Sequence, residues 1–87
     1  MKQTYKVYED AGHSWMEVLK SELIDLGINK SISAYSYQND EYAYLEEDCD
    51  AGKFIDAKKR ICIEIEGDFI YAGDSSPIRD FEKYEGV

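Results

Sequence analysis

Proline occurs once in the 87 residues, at Pro77, and no serine-, glycine- or single-charge-rich stretch is long enough to act as a linker. With an ordinary apolar content, that scarcity argues against disorder and for one folded domain spanning residues 1–87. Cysteine occurs twice, at Cys49 and Cys62, outside any C-x-x-C pair, which excludes a disulfide framework and reads as two reduced thiols. Histidine occurs once, at His13, so the Cys/His spacing of a zinc site is missing. No apolar run approaches the roughly 20 residues that cross a bilayer, and the start MKQTYKVYED lacks the apolar core of a secretory signal, so a cytoplasmic location is expected. Basic residues are also in short supply: 10 Lys and Arg against 19 Asp and Glu leave a net charge of −9. A negative field of that size repels nucleic acid and anionic lipid and steers toward basic proteins.

What the chain has is alternation and helical spacing. Thr4 to Tyr8 alternates and is aromatic-rich, predicting a first strand. Ser14-Trp15-Met16-Glu17 matches an S-x-x-E capping box, and Trp15, Met16, Leu19, Leu23 and Leu26 share one stripe of a helical wheel that Gly27 ends, with Ile24 on the exposed side. Ser31–Tyr37 and Tyr42–Glu46 read as strands around the loop Gln38-Asn39-Asp40-Glu41. A second helix follows Asp48 or Asp50, either of which suits its N-cap, with Ala51, Phe54, Ala57 and Ile61 on one face and Lys58, Lys59 and Arg60 at its C-terminal end. Ile61 to Glu66 alternates cleanly as the next strand. This order predicts an α+β fold of the ferredoxin-like split β-α-β type (βαββαβ), with both helices on one sheet face. Gly67-Asp68 reads as a hairpin turn into a fifth short strand at Phe69–Ala72, and Ser76-Pro77 as the cap of a last helical turn bearing Ile78, Phe81 and Tyr84.

The densest chemistry is Glu46-Glu47-Asp48-Cys49-Asp50. An EF-hand loop starting at Asp48 fails, because its fifth and sixth positions are Gly52 and Lys53 and its closing position is Lys59. No phosphate-cradling glycine loop, nucleophile elbow or H-E-x-x-H motif is present, so neither metal, cofactor nor catalytic residues are expected. The outward faces of the predicted strands gather Tyr35, Tyr37, Tyr42 and Tyr44 with Asp40, Glu41, Glu46, Glu64 and Glu66. Tyrosines among carboxylates suit a partner protein rich in Lys and Arg, and have the wrong sign for stacking RNA. The tail residues or a second copy of the chain would cover the same tyrosines in the alternative arrangement.

The segments Gly12-His13-Ser14-Trp15, Ala34-Tyr35-Ser36-Tyr37, Tyr44 to Ala51 and Ser76 to Phe81 together resemble a family of short proteins carried by phages, plasmids and other mobile elements. Where such proteins commonly read G-H-G-W, this chain has Ser14. The resemblance implies the context of a host-defence inhibitor, of the anti-CRISPR or anti-restriction kind, that occupies a nucleic-acid-binding surface. The expected function is therefore a non-enzymatic inhibitor acting in the host cell cytoplasm on a basic host protein or ribonucleoprotein complex, without binding nucleic acid or membrane itself. Two other classes stay open: a self-associating phage accessory protein with a homodimer interface on the tyrosine face, and a small enzyme or ligand-binding domain built on His13 and the Glu46–Asp50 cluster.

Overall fold

The computed structural model describes residues 1–86. Among them six strands, β1 (Lys2–Glu9), β2 (Ser14–Leu19), β3 (Tyr37–Gln38), β4 (Tyr42–Glu46), β5 (Glu64–Tyr71) and β6 (Glu82–Lys83), form one sheet in the order β5-β1-β2-β4-β3-β6. The β1–β5 pair is parallel and the other pairs are antiparallel, so the sheet is mixed. Helix α1 (Lys20–Asp25) follows β2 and α2 (Ala51–Arg60) precedes β5. The protein is thus a small α+β domain.

Both helices lie on one sheet face, as their apolar spacing predicts. Leu23 of α1 and Phe54 of α2 are fully buried against Val7, Met16, Val18, Ala43 and Leu45, with Ile32 and Tyr84 closing the cluster. The opposite face carries a smaller cluster in which Ile78 roofs Trp15 and Tyr44, flanked by Tyr8, Tyr37, Tyr42 and Phe81. Period-two alternation along β4 sends Ala43 and Leu45 to the helices and Tyr42, Tyr44 and Glu46 to the other side.

The order of elements departs from βαββαβ at Ser14. Residues 14–19 form a strand, and the first helix is only the six residues Lys20–Asp25. The sequence S-W-M-E-V-L satisfies both periods, and the strand prevails because it is central: β1 and β4 pair on either side, burying Trp15 on one face and Met16 and Val18 on the other. Ser14 caps no helix; its hydroxyl donates to Glu47 Oε2 at 2.8 Å. Ile24 is exposed, as expected.

The expected strand over Ser31–Tyr37 begins only at Tyr37, because Asn29–Ser31 is a 3-10 turn and Asp50 pins Ser33 and Ser36 in a bend. Its hairpin partner β4 falls where the alternation places it. After α2 the chain turns at Cys62 with φ of 62°, which leaves Ile61 exposed and starts the strand at Glu64 rather than Ile61. Gly67-Asp68 does not turn. It runs straight through β5 opposite Tyr5 and Lys6 of β1, and the missing side chain at Gly67 leaves room for the Phe69 ring, which a Cβ there would meet at 2.9 Å and push aside. Ser76 does cap a 3-10 turn, Pro77–Asp80, by accepting from the Ile78 amide at 3.2 Å, while Tyr84 continues past it into the helix-side core.

Candidate functional site: an acid-lined aromatic hollow

Three buried carboxylates build the site's frame. Asp10, in the turn between β1 and β2, accepts through Oδ1 from the amides of Gly12 (2.9 Å) and His13 (3.0 Å) and through Oδ2 from the amide of Ser76 (3.0 Å). The Arg79 guanidinium grips both oxygens, so one side chain fixes the His13 turn and straps the tail across the sheet. That ion pair, with the three amides, holds the Asp10 carboxyl well below the usual carboxylate range despite its burial. Arg79 also lies over the Trp15 ring, 5.1 Å from its centroid.

Asp50 is the second. It occupies the N-cap position of α2, where the acid run predicts a cap, but makes no side-chain cap bond. Its oxygens instead accept from Ser33 N–H and Oγ, Ser36 Oγ and Lys53 Nζ, fixing the bend that presents Tyr35. Burial alone would raise this carboxyl; the hydrogen bonds from Ser36, Ser33 and Lys53 outweigh it and the group lies below its ordinary value. The third is Glu46 at the end of β4, whose Oε2 accepts from the amides of Asp48 and Cys49, both at 2.9 Å, and shapes the turn into α2.

Strand register supplies the juxtaposition. Trp15 of β2 pairs with Glu46 of β4, and the Glu47 amide continues the ladder to Ser14 C=O at 3.1 Å. His13 therefore meets the acid run: its Nδ1 lies 3.4 Å from Glu46 Oε1 and 3.6 Å from Glu47 Oε1. His13, Trp15, Tyr35, Tyr37, Glu46, Asp48, Cys49 and Arg79 enclose an open hollow of about 270 Å³. Ligating atoms of His13, Glu46, Glu47 and Asp48 all fall within 4.8 Å of one another, a spread that one small cation or one cationic side chain can span. The loop spacing excluded an EF-hand; the assembled group draws on two turns more than 30 residues apart. The Trp15 indole N–H, on a ring only 2% exposed, has no hydrogen-bond partner among the described residues.

A base–nucleophile pair of His13 and Cys49 is poorly served by these surroundings. Desolvation, followed by the carboxylates of Glu46, Asp50 and Asp48, pushes the Cys49 thiol up, opposite to the direction that makes a reactive thiolate.

The expected tyrosine face is divided. Tyr35 is 69% exposed on the bend before β3, and Tyr37 and Glu46 join it at the hollow. Tyr44 is buried: the Phe81 ring lies 5.2 Å from its own, Ile78 covers it, and its hydroxyl donates to Glu17 at 2.9 Å. Burial, then the bond to Glu17, raises its pKa. Tyr44 is thus a core residue and not a free anchor, because the tail strapped by Asp10 lies over it, and Tyr42 is half-buried in the same cluster. Asp40 and Glu41 are exposed in the hairpin loop. Glu64 and Glu66 are exposed on the same sheet face but on the edge strand β5, separated from β4 by β1 and β2. Sequence reasoning missed Asp10 and Arg79 at the site and assigned Trp15 to a helix; their signals, a turn acid and a capped S-P-I-R, are individually ordinary.

Among the described residues no helix is long and apolar enough to cross a membrane. No family model, curated protein or solved structure matches the chain.

Proposed function

We propose that this chain is a non-enzymatic, acidic protein-binding module that docks on a basic, nucleic-acid-handling protein or ribonucleoprotein complex in the host cytoplasm. It acts there as an anti-CRISPR-type inhibitor, by steric and electrostatic competition with nucleic acid. The observation that carries the reading is the hollow at His13: aromatic walls from Tyr35, Tyr37 and Trp15 and carboxylates from Glu46 and Asp48, with Glu47 beside them, on a chain of net charge −9. A Lys or Arg side chain entering it donates charge-assisted hydrogen bonds to the acids and makes a cation–π contact with Tyr35 or Tyr37, the Trp15 ring being already covered by Arg79. At about 270 Å³ the hollow lies just under the range of small-molecule sites and suits one such side chain. The surrounding acids speed encounter with a basic surface and repel free nucleic acid. Carboxylates that push the Cys49 thiol pKa up fit binding better than covalent chemistry.

Affinity capture from host lysate, in parallel with Tyr35→Ala and Glu47→Gln, tests this reading. The expected result is a basic nucleic-acid-binding protein, released by competing nucleic acid and by salt, and lost with both variants. Recovery of metabolic enzymes alone, or equal recovery by the variants, contradicts it.

A further inference from the structure

The two edges of the sheet are unequal. The β6 edge is two residues long, whereas β5 offers eight residues with a neighbour on one side only. The Glu64 amide donates to Met1 C=O at 2.8 Å and the Ala72 amide to Glu9 C=O at 2.7 Å, so the even-numbered residues turn their backbone groups toward β1. By the alternation of a parallel ladder, Ile65, Gly67, Phe69 and Tyr71 point their N–H and C=O groups to the open edge. Such an edge is a template for another strand.

The side chains along it differ by face. On the face away from the helices stand Glu64, Glu66 and Asp68, all exposed and outermost on the sheet, with Lys2 and Lys6 of β1 opposite Glu64 and Asp68 on their inner side. On the helix face, Phe69 is 65% exposed and stands with Val7, Ile55 and Ile65 around an apolar hollow of about 350 Å³. A second copy fits this edge badly. The two face-matched antiparallel registers of longest overlap centre on Gly67 or Asp68, and set Glu66 opposite Asp68, or Asp68 opposite its own copy.

We propose that the β5 edge takes, by strand addition, an extended segment of a partner protein with Lys or Arg alternating with apolar residues. Its basic face meets Glu64, Glu66 and Asp68; its apolar face meets Phe69 and the hollow beside it; its backbone meets the open groups of Ile65, Gly67, Phe69 and Tyr71. The inference rests on the reading of a basic partner but uses a surface separate from the His13 hollow.

The probe is a capped ten-residue peptide alternating Lys and Val, with a block peptide of the same composition (five Lys, then five Val) and an alternately N-methylated version as controls. Titration of ¹⁵N-labelled protein should slow amide exchange at Ile65, Gly67, Phe69 and Tyr71. Affinity should fall at least tenfold with either control peptide, and tenfold in Phe69→Pro, which removes an outward N–H and leaves the β1 ladder whole. The peptide controls on the unaltered protein decide the matter even if that variant is unstable. Equal binding of the N-methylated peptide overturns the proposal, as does a sedimenting dimer of the free chain that Phe69→Pro dissolves, since the occupant is then a second copy. Peptide binding abolished by Tyr35→Ala and untouched by Phe69→Pro also overturns it, while leaving the hollow reading intact.

Discussion

The two faces of the sheet are closed in different ways. On one, two helices bring Leu23 and Phe54 into an apolar cluster that spans β1, β2 and β4. On the other, a single 3-10 turn lays Ile78 and Phe81 over Trp15 and Tyr44, and a carboxylate, Asp10, fastens that turn. The helix face is held chiefly by area removed from water; the tail face buries Trp15, Tyr44 and Ile78 as well, but its cover is a short turn that hydrogen bonds at a buried acid must fasten. The candidate site lies on the second face, where loops are positioned by Asp10, Glu46 and Asp50 and where exposed rings and acids remain at the surface.

Deletion of the helix-face anchor should have the largest effect. Phe54→Ala is expected to cost about 3–5 kcal/mol and to lower the denaturation midpoint of the whole domain. Ile78→Ala, under the tail, should cost about 2 kcal/mol at the low end of the same range, with amide exchange accelerated mainly at residues 76–84. Equal, global losses from both would mean that the faces unfold as one unit.

Between these two falls Asp50→Ala, expected to cost about 3 kcal/mol because Ser33, Ser36 and Lys53 lose a shared buried acceptor. Its exchange signature should sit at residues 33–36, and Tyr35 should lose its fixed place at the hollow. A small, delocalised change would remove Asp50 from the frame.

Acid separates the faces without mutation. The folded-state pKa of Asp10 lies below the unfolded value of about 3.9, so the stability it confers is complete above that value and is lost as pH falls through it toward the folded pKa. Amides of the 10–13 turn and of 76–79 should therefore open below about pH 4, before those of β1 and α2. Asp10→Asn should open the tail at neutral pH and flatten this dependence. An acid transition that begins in the helix core would contradict the division.

The smallest stability effect belongs to the exposed acids. Glu64→Gln with Glu66→Gln should leave stability within about 0.5 kcal/mol, slow association with a basic partner and flatten its salt dependence. Unaltered association kinetics would take these acids out of the binding account.

Legibility in the sequence follows the range of the interactions. The β4 alternation, the apolar side of α2 from Ala51 to Ala57 and the Ser76-Pro77 cap are local patterns that stand where they were expected, whereas Ile61, expected on the same side of α2, lies past its end and is exposed. The segment Ser14–Leu19 carries a capping-box motif and an apolar pattern that suits either period; what decides it is pairing with β1 and β4, and the true partner of Ser14 is Glu47, 33 residues away. Gly67-Asp68 looks like a turn for the same reason, since its parallel partner β1 lies at the other end of the chain. Tyr35, Tyr37 and Glu46 are legible as surface chemistry that reaches the candidate hollow, and His13 as a companion of the acid run, because their chemistry is visible singly. Their meeting point, and the loss of Tyr44 to the core, depend on β2–β4 register and on the Asp10–Arg79 strap, which no local pattern encodes.

The chain's single tryptophan supplies the most direct test of the hollow, because Trp15 lines it and its buried indole N–H has no hydrogen-bond partner among the described residues. In ¹H–¹⁵N spectra, N-acetyl-arginine methylamide should shift the Trp15 indole and the amides of His13, Tyr35 and Glu46–Cys49 along one saturable curve. N-acetyl-glutamine methylamide should not, and Glu47→Gln with Asp48→Asn should weaken the arginine response at least tenfold. Calcium, magnesium or zinc at modest excess should move the melting temperature little. Indole shifts equal for the two amides, or a rise of several degrees with one ion that His13→Ala abolishes, would contradict a basic-side-chain site, and the second result would put a metal ion in its place.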